Sequence, residues 1–167
     1  MTIPQFFTPD SQNARALRAA FGAYVTGVCV VTAQSERGPM GMTINSFTSV
    51  SLDPPLVMWA PARSSARCAA FARAGHFAIH VLRHDQIELC RRFAGQGAGF
   101  SGLAHDTTPD GTPVLADALA RFDCEHHAQH DGGDHLMILG RVTGVETRPG
   151  DALVFSQGRY GRFQSGG

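Results

Sequence analysis

A chain of 167 residues suits one domain, and 43% hydrophobic with 17% charged residues is the composition of a folded globular protein, not of a disordered or coiled-coil chain. Fourteen acidic residues balance fourteen basic ones, all of them arginine, so chemistry that needs lysine (Schiff bases, P-loops) drops out, and no basic run offers a footprint for nucleic acid. The apolar runs at 28–32 and 56–60 fall far short of the roughly 20 residues that span a bilayer.

The segment Met1 to Phe7 lacks a basic stretch, an apolar h-region and a cleavage signal, which makes the cytoplasm the default expectation. From Asn13 to Tyr24, apolar residues at Leu17, Ala20, Phe21 and Tyr24 have helical spacing, with Ser11 or Asn13 as candidate caps. Gly27 leads into the β-branched run Val28 to Thr32, and Ser35 to Pro39 reads as a hairpin turn. Gly41 to Ser51 and Leu56 to Ala60 read as two further strands, separated by Asp53-Pro54-Pro55.

Ser64-Ser65 ahead of Ala66 to Arg73 predicts a short helix with a serine start and Gly75 as its stop. Phe77 to Leu82 reads as a buried strand; Asp85 and Glu88 predict a capping box for a helix through Phe93, ended by Gly95. Residues 95–112 are dense in Gly, Asp, Thr and Pro and read as a long loop. Leu119 to Gln129, His135 to Glu146 and Leu153 to Gln157 complete the strands, with turns at Gly132-Gly133 and Pro149-Gly150. Short strands outnumber helices, so an antiparallel barrel fits better than a wound βαβ sheet, with residues 1–167 forming a single domain. Cys29, Cys68, Cys90 and Cys124 are widely spaced in apolar surroundings and read as reduced core residues.

Two motif readings fall on their context. Gly97-Ala98-Gly99-Phe100-Ser101-Gly102 has the letters of a dinucleotide fingerprint, but it follows a predicted helix and not a strand. It also lacks the second glycine of a hydrolase nucleophile elbow. A metal reading competes: Cys124, His126 and His130 would share one face of a strand, with His127, Asp131 and Asp134 nearby, although the spacing matches no established zinc motif.

The informative stretch runs Thr43-Ile44-Asn45-Ser46-Phe47-Thr48-Ser49-Val50-Ser51, then Asp53-Pro54-Pro55 and Arg63-Ser64-Ser65. With Phe21 to Val28, Arg91-Arg92-Phe93-Ala94-Gly95, Gly133-Asp134-His135 and Gly158-Arg159-Tyr160, it resembles the flavin reductase-like domain family over nearly the whole chain. These are FMN-binding split barrels that serve as reductase components of two-component flavin-dependent monooxygenases. The resemblance implies a mainly β, antiparallel Greek-key split barrel with a few flanking helices, and transfer of hydride from NADH or NADPH to FMN or FAD. It further implies a homodimer and a separate monooxygenase partner; the balanced charge and short apolar runs leave neither nucleic acid nor membrane as an expected partner.

A flavin needs an apolar slot for its ring, hydrogen bonds at the ring edge and donors for its phosphate. The resemblance assigns the pocket to Thr43, Ile44, Asn45, Ser46, Ser49, Val50, Ser51 and Ala60, and the phosphate seat to Arg63, Ser64 and Ser65. Serine hydroxyls at a helix start and a guanidinium suit a phosphate chemically. It also brings Arg92 and Phe93 to the flavin, His135 to the nicotinamide as a positioning residue, and Tyr160 near the ring or a dimer contact. No catalytic dyad is expected, because hydride transfer between stacked rings depends on proximity and orientation. A binding-only reading, an electron carrier or sensor without steady turnover, stands beside the enzyme.

Overall fold

The computed structural model describes residues 6–95 and 99–164. In chain order these form α1 (Ala14–Phe21), β1 (Thr26–Gly27), β2 (Cys29–Ser35), β3 (Gly38–Ile44), β4 (Thr48–Leu52) and β5 (Pro55–Trp59). Then follow α2 (Cys68–Arg73), β6 (His76–Val81), α3 (Ile87–Phe93), β7 (Asp106–Thr107), β8 (Pro113–Val114), β9 (Ala120–Gly132), β10 (His135–Thr147), β11 (Leu153–Ser156) and β12 (Arg159–Arg162).

Seven strands form one antiparallel sheet in the order β3-β2-β6-β9-β10-β5-β4. Its two edges, β3 and β4, are consecutive in the chain and joined only by Asn45, Ser46 and Phe47. Laid flat, seven strands would hold their edges about 29 Å apart, whereas the four Cα steps from Ile44 to Thr48 reach at most about 14 Å. The sheet therefore curls until its edges approach without pairing, which makes a split barrel, as the sequence resemblance implied.

The run at 28–33 is apolar without alternation because β2 is buried on both faces. Cys29, Val31 and Ala33 face the barrel interior with Trp59, Phe71, Phe77, Ile79 and Ile138. Val28 and Val30 face a second cluster with Leu82, Cys90, Phe93, Leu115 and Leu153, beneath α3 and β11. Trp59 is wholly buried, its ring 5.0 Å from that of Phe71 and 5.9 Å from that of Phe77. Each such side chain contributes roughly 1.5–3 kcal/mol through burial.

Several local expectations are corrected. The segment 41–51 is not one strand: it breaks at Asn45 to Phe47, where the chain crosses from one sheet edge to the other. Serines 64 and 65 do not start α2, which begins at Cys68 with Arg67 in the capping position. Ala62 bridges to His135 and the Arg63 N–H donates to the Asp134 carbonyl at 2.9 Å, so the chain is held at the start of β10 up to Arg63, and the serines fall in the turn that follows, where the Ser65 N–H donates to the Ala62 carbonyl at 3.0 Å. Asp85 and Glu88 form no capping box, because Arg83 takes the first carboxylate (2.8 Å) and Arg91 the second (2.6 Å). The opening helix ends at Phe21, and none of its residues is buried. β12 escapes the sequence pattern because all four of its residues are exposed.

All four cysteines are free and buried. Burial pushes the Cys29 and Cys124 thiols up to about 12, which keeps them inert. The metal reading fails on register. His126 lies opposite Gly140 while Ala128 lies opposite Leu139, so His127 is an extra residue that reverses the alternation. His130 thus faces the opposite side from Cys124 and His126, and among the described residues no group of three His, Cys, Asp or Glu side chains is placed to hold a metal ion. The glycine-rich Gly97 and Ala98 lie outside the described residues.

Candidate functional site

β3 is an edge strand, so one side of its backbone has no ladder partner. The Gly41 carbonyl points to that side, where it accepts from Arg67 at 2.6 Å. By the alternation of an antiparallel strand, the N–H and C=O groups of Gly41 and Thr43 both lie on the open edge. A cavity of about 940 Å³ runs along this edge. Its wall continues through Asn45, Ser46, Ala60 to Ala62, Ser64 to Arg67, Gly95, Gly99 to Ser101 and His135.

Local hydrogen bonds explain how these segments come together. The Ser46 hydroxyl accepts the Ala60 N–H at 2.9 Å, tying the link between the sheet edges to the end of β5. The Thr43 hydroxyl donates to the Cys90 carbonyl at 2.6 Å, fixing β3 to α3. His135 follows the β9–β10 turn, where Gly133 has a φ of +73° that favours glycine. Its Nδ1 lies 2.7 Å from the Asp134 carboxylate, which holds the Asp134 pKa below the usual carboxylate range and leaves Nε2 for a ligand.

The structure brings Thr43, Ile44, Asn45, Ser46, Ala60, Ser64, Ser65 and His135 to this one cavity. The remaining expected residues lie elsewhere. Ser49, Val50 and Ser51 belong to β4, beyond the strand break, where Val50 is 51% exposed. Arg63 turns away from the cavity: its Nε donates to the Gly133 carbonyl at 3.0 Å and its terminal nitrogen pairs with Asp131 at 2.5 Å, so it clamps the turn. Arg92 is taken by the carbonyls of Gly99 and Ser101.

Phe93 is fully buried in the second cluster. Tyr160 borders a neighbouring cavity of about 210 Å³ that shares Thr43, Ile44, Asn45 and Gly95 with the main one. The neighbouring Cys90 thiol, with partial burial, pushes the Tyr160 phenol up to about 12. The bulky Trp59 sits in the barrel core and does not crowd the cavity.

Sequence reasoning missed Arg67. Its guanidinium donates to the carbonyls of Gly41 (2.6 Å), Phe93 (3.1 Å) and Gly95 (2.6 Å), so it joins β3 to the end of α3. Burial lowers its pKa from the ordinary arginine value, and no carboxylate pairs with it among the described residues. A lone arginine after two serines carries no motif, because all its partners are backbone oxygens from distant segments.

These residues fit a flavin. The open backbone edge at Gly41 and Thr43 can meet a ring edge, the Met40, Pro61 and Ala62 surfaces can cover a ring face, and Ser64 and Ser65 offer hydroxyls for a phosphate.

Comparison with known proteins agrees with this reading. The flavin reductase like domain matches residues 21–164. The chain is 53% identical to the FMN reductase (NADH) SmoA of Agrobacterium fabrum, over 94% of this chain and 90% of that protein. It is 37% identical to HsaB of Rhodococcus jostii, the reductase subunit of a flavin-dependent monooxygenase, over 90% of this chain and 78% of that one. The NADH:FAD oxidoreductase SgcE6 of Streptomyces globisporus, solved with NAD and FAD fragments, superposes with a TM-score of 0.87 at 35% identity, covering 95% of this chain and 98% of that one. The chain belongs to the flavin reductase-like domain family.

Proposed function

We propose that this chain, acting as a single domain, is an NAD(P)H-dependent flavin reductase that supplies reduced flavin to a separate flavin-dependent monooxygenase. The observation that carries the reading is the cavity on the open edge of β3, which gathers backbone groups, paired serines and His135 in a chain of this family. A bound flavin supplies the hydride acceptor. The chain's own work is placement: the β3 edge and Ser46 locate the ring, Ser64 and Ser65 hold the phosphate end, and His135, anchored by Asp134, orients the nicotinamide. Relatives named as reductase subunits support the oxygenase partner.

The homodimer belongs to the same proposal. Phe21, Tyr24, Val25 and Phe163 are each more than half exposed, and no residue of α1 is buried, so a second copy is the natural cover. Four free buried cysteines accord with a reducing cytoplasm, and no helix among the described residues is long and apolar enough to cross a membrane.

The test is steady-state oxidation of NADH and NADPH with added FMN or FAD, together with visible absorption of the protein after mixing with either flavin. Flavin-dependent turnover is expected. Binding without turnover would make the protein a carrier, and the lack of both binding and turnover would end the flavin reading.

A further inference from the structure

Arg92 stands in the last turn of α3 and spends its donors on neutral backbone oxygens. Its Nε donates to the Gly99 carbonyl at 2.7 Å and a terminal nitrogen donates to the Ser101 carbonyl, while the Gly99 N–H donates back to the Arg92 carbonyl at 3.1 Å. One residue thus holds both ends of the segment Gly99-Phe100-Ser101. The turn around it needs left-handed backbone, with φ of +56° at Gly99 and +65° at Gly102, which glycine adopts without a steric penalty. Between the two held carbonyls, the Phe100 ring packs 5.1 Å from that of Phe93 and 4.7 Å from that of His105.

Gly99, Phe100 and Ser101 all line the main cavity, and Arg92 does not. The two walls are secured very differently. β3 has a strand ladder with β2 behind it and Arg67 on its open edge. Among the described residues, every hydrogen bond that ties 99–101 to another element runs to Arg92. A wall held by one side chain lowers ligand affinity in proportion to the time it spends out of place.

We infer that Arg92 is a positioning residue for flavin binding, which touches no part of the flavin and sets its affinity by clasping the 99–101 wall. The inference rests on the flavin reductase reading of the main cavity. Once a flavin is bound, its own contacts keep the wall in place, so the clasp governs binding and leaves the hydride step alone.

The test is a double-mutant cycle between Arg92→Met, which removes the clasp, and Gly102→Ala, which strains the turn at a residue outside the cavity lining where an added Cβ meets nothing within 4 Å. FMN affinity is measured by quenching of flavin fluorescence, at a temperature where the melting curve of each flavin-free variant shows it folded. Each single variant should raise the Kd for FMN about fivefold to tenfold, with kcat at saturating FMN within about twofold of wild type. The double variant should bind no more weakly than the weaker single one, since both release the same wall. Arg92→Lys keeps the charge but cannot fork between two carbonyls, and should recover less than half of the lost affinity. The clasp is refuted if Arg92→Met leaves the Kd unchanged, if Gly102→Ala leaves it unchanged, if the two effects multiply, or if lysine restores wild-type affinity, which would assign the effect to charge; in each case the flavin reading stands. If wild-type protein binds no flavin, the earlier reading fails and this one with it.

Discussion

Gly41 lies against the ring of Phe93 so closely that a methyl group on it would come within 2.5 Å of two ring carbons. Phe93 has no room to retreat, being fully buried between β2, α3 and β11. The strand that edges the main cavity is thus set at its distance from α3 by the absence of one side chain. Gly41→Ala should cost about 1–3 kcal/mol, the range for an overpacked core. Because the Gly41 carbonyl is also held by Arg67, the displacement should reach the cavity and weaken FMN binding. Urea denaturation and a flavin titration on the same variant read both effects.

Arg67 draws three carbonyls from two elements onto one planar group. Arg67→Met keeps much of the stem but leaves those oxygens without their donors, and should cost about 2 kcal/mol. Arg67→Lys should restore less than half of that, because a compact ammonium cannot span three acceptors placed for a fork. Calorimetric melting of the three proteins checks the order.

His80 is fully buried, with Nδ1 3.1 Å from the Val30 carbonyl and Nε2 accepting the Leu115 N–H at 3.0 Å. One nitrogen donating and the other accepting is the neutral ring, and burial lowers the pKa from 6.5 to about 4. The unfolded chain takes up the proton first as pH falls. The stabilisation is therefore complete above pH 6.5 and declines as pH drops from 6.5 towards 4, by on the order of 3 kcal/mol. His80→Gln should be less stable at neutral pH and should lose this part of the slope. Denaturation curves at pH 4.5, 5.5 and 7 compare the two proteins.

His135 is anchored through its Nδ1 and lines the cavity. His135→Ala should raise the Michaelis constant for reduced nicotinamide roughly fivefold, the loss of about one hydrogen bond. Flavin affinity should stay within about twofold. Equal damage to both would contradict a positioning role towards the nicotinamide.

The strands were legible where periodicity and turn chemistry coincided. The Ser35 to Pro39 turn and the Gly132-Gly133 turn each sit where the structure folds a hairpin. The split of 41–51 was not legible, because Asn45 to Phe47 carries no breaker residue; what breaks the strand is the requirement to reach the far sheet edge, which only the closed topology imposes. The helix starts misled for a different reason: Asp85 and Glu88 have the capping spacing, yet arginines two and three residues away claim them first. Of the residues named from motif letters, the serines, Asn45 and His135 line the main cavity, whereas Arg63, Arg92 and Phe93 point to partners that only the rest of the fold brings near, and no motif marked Arg67.

The join between the rims of the curled sheet is only three residues long, and it is pinned at both sides: the Ser46 hydroxyl at Ala60, and the Phe47 ring stacked 5.5 Å from Phe122. Chain length alone thereby sets how wide the mouth can gape. Residues added beside Phe47 would act as a spacer and let the rims part further, so related chains with longer joins are the place to look for roomier, less selective mouths.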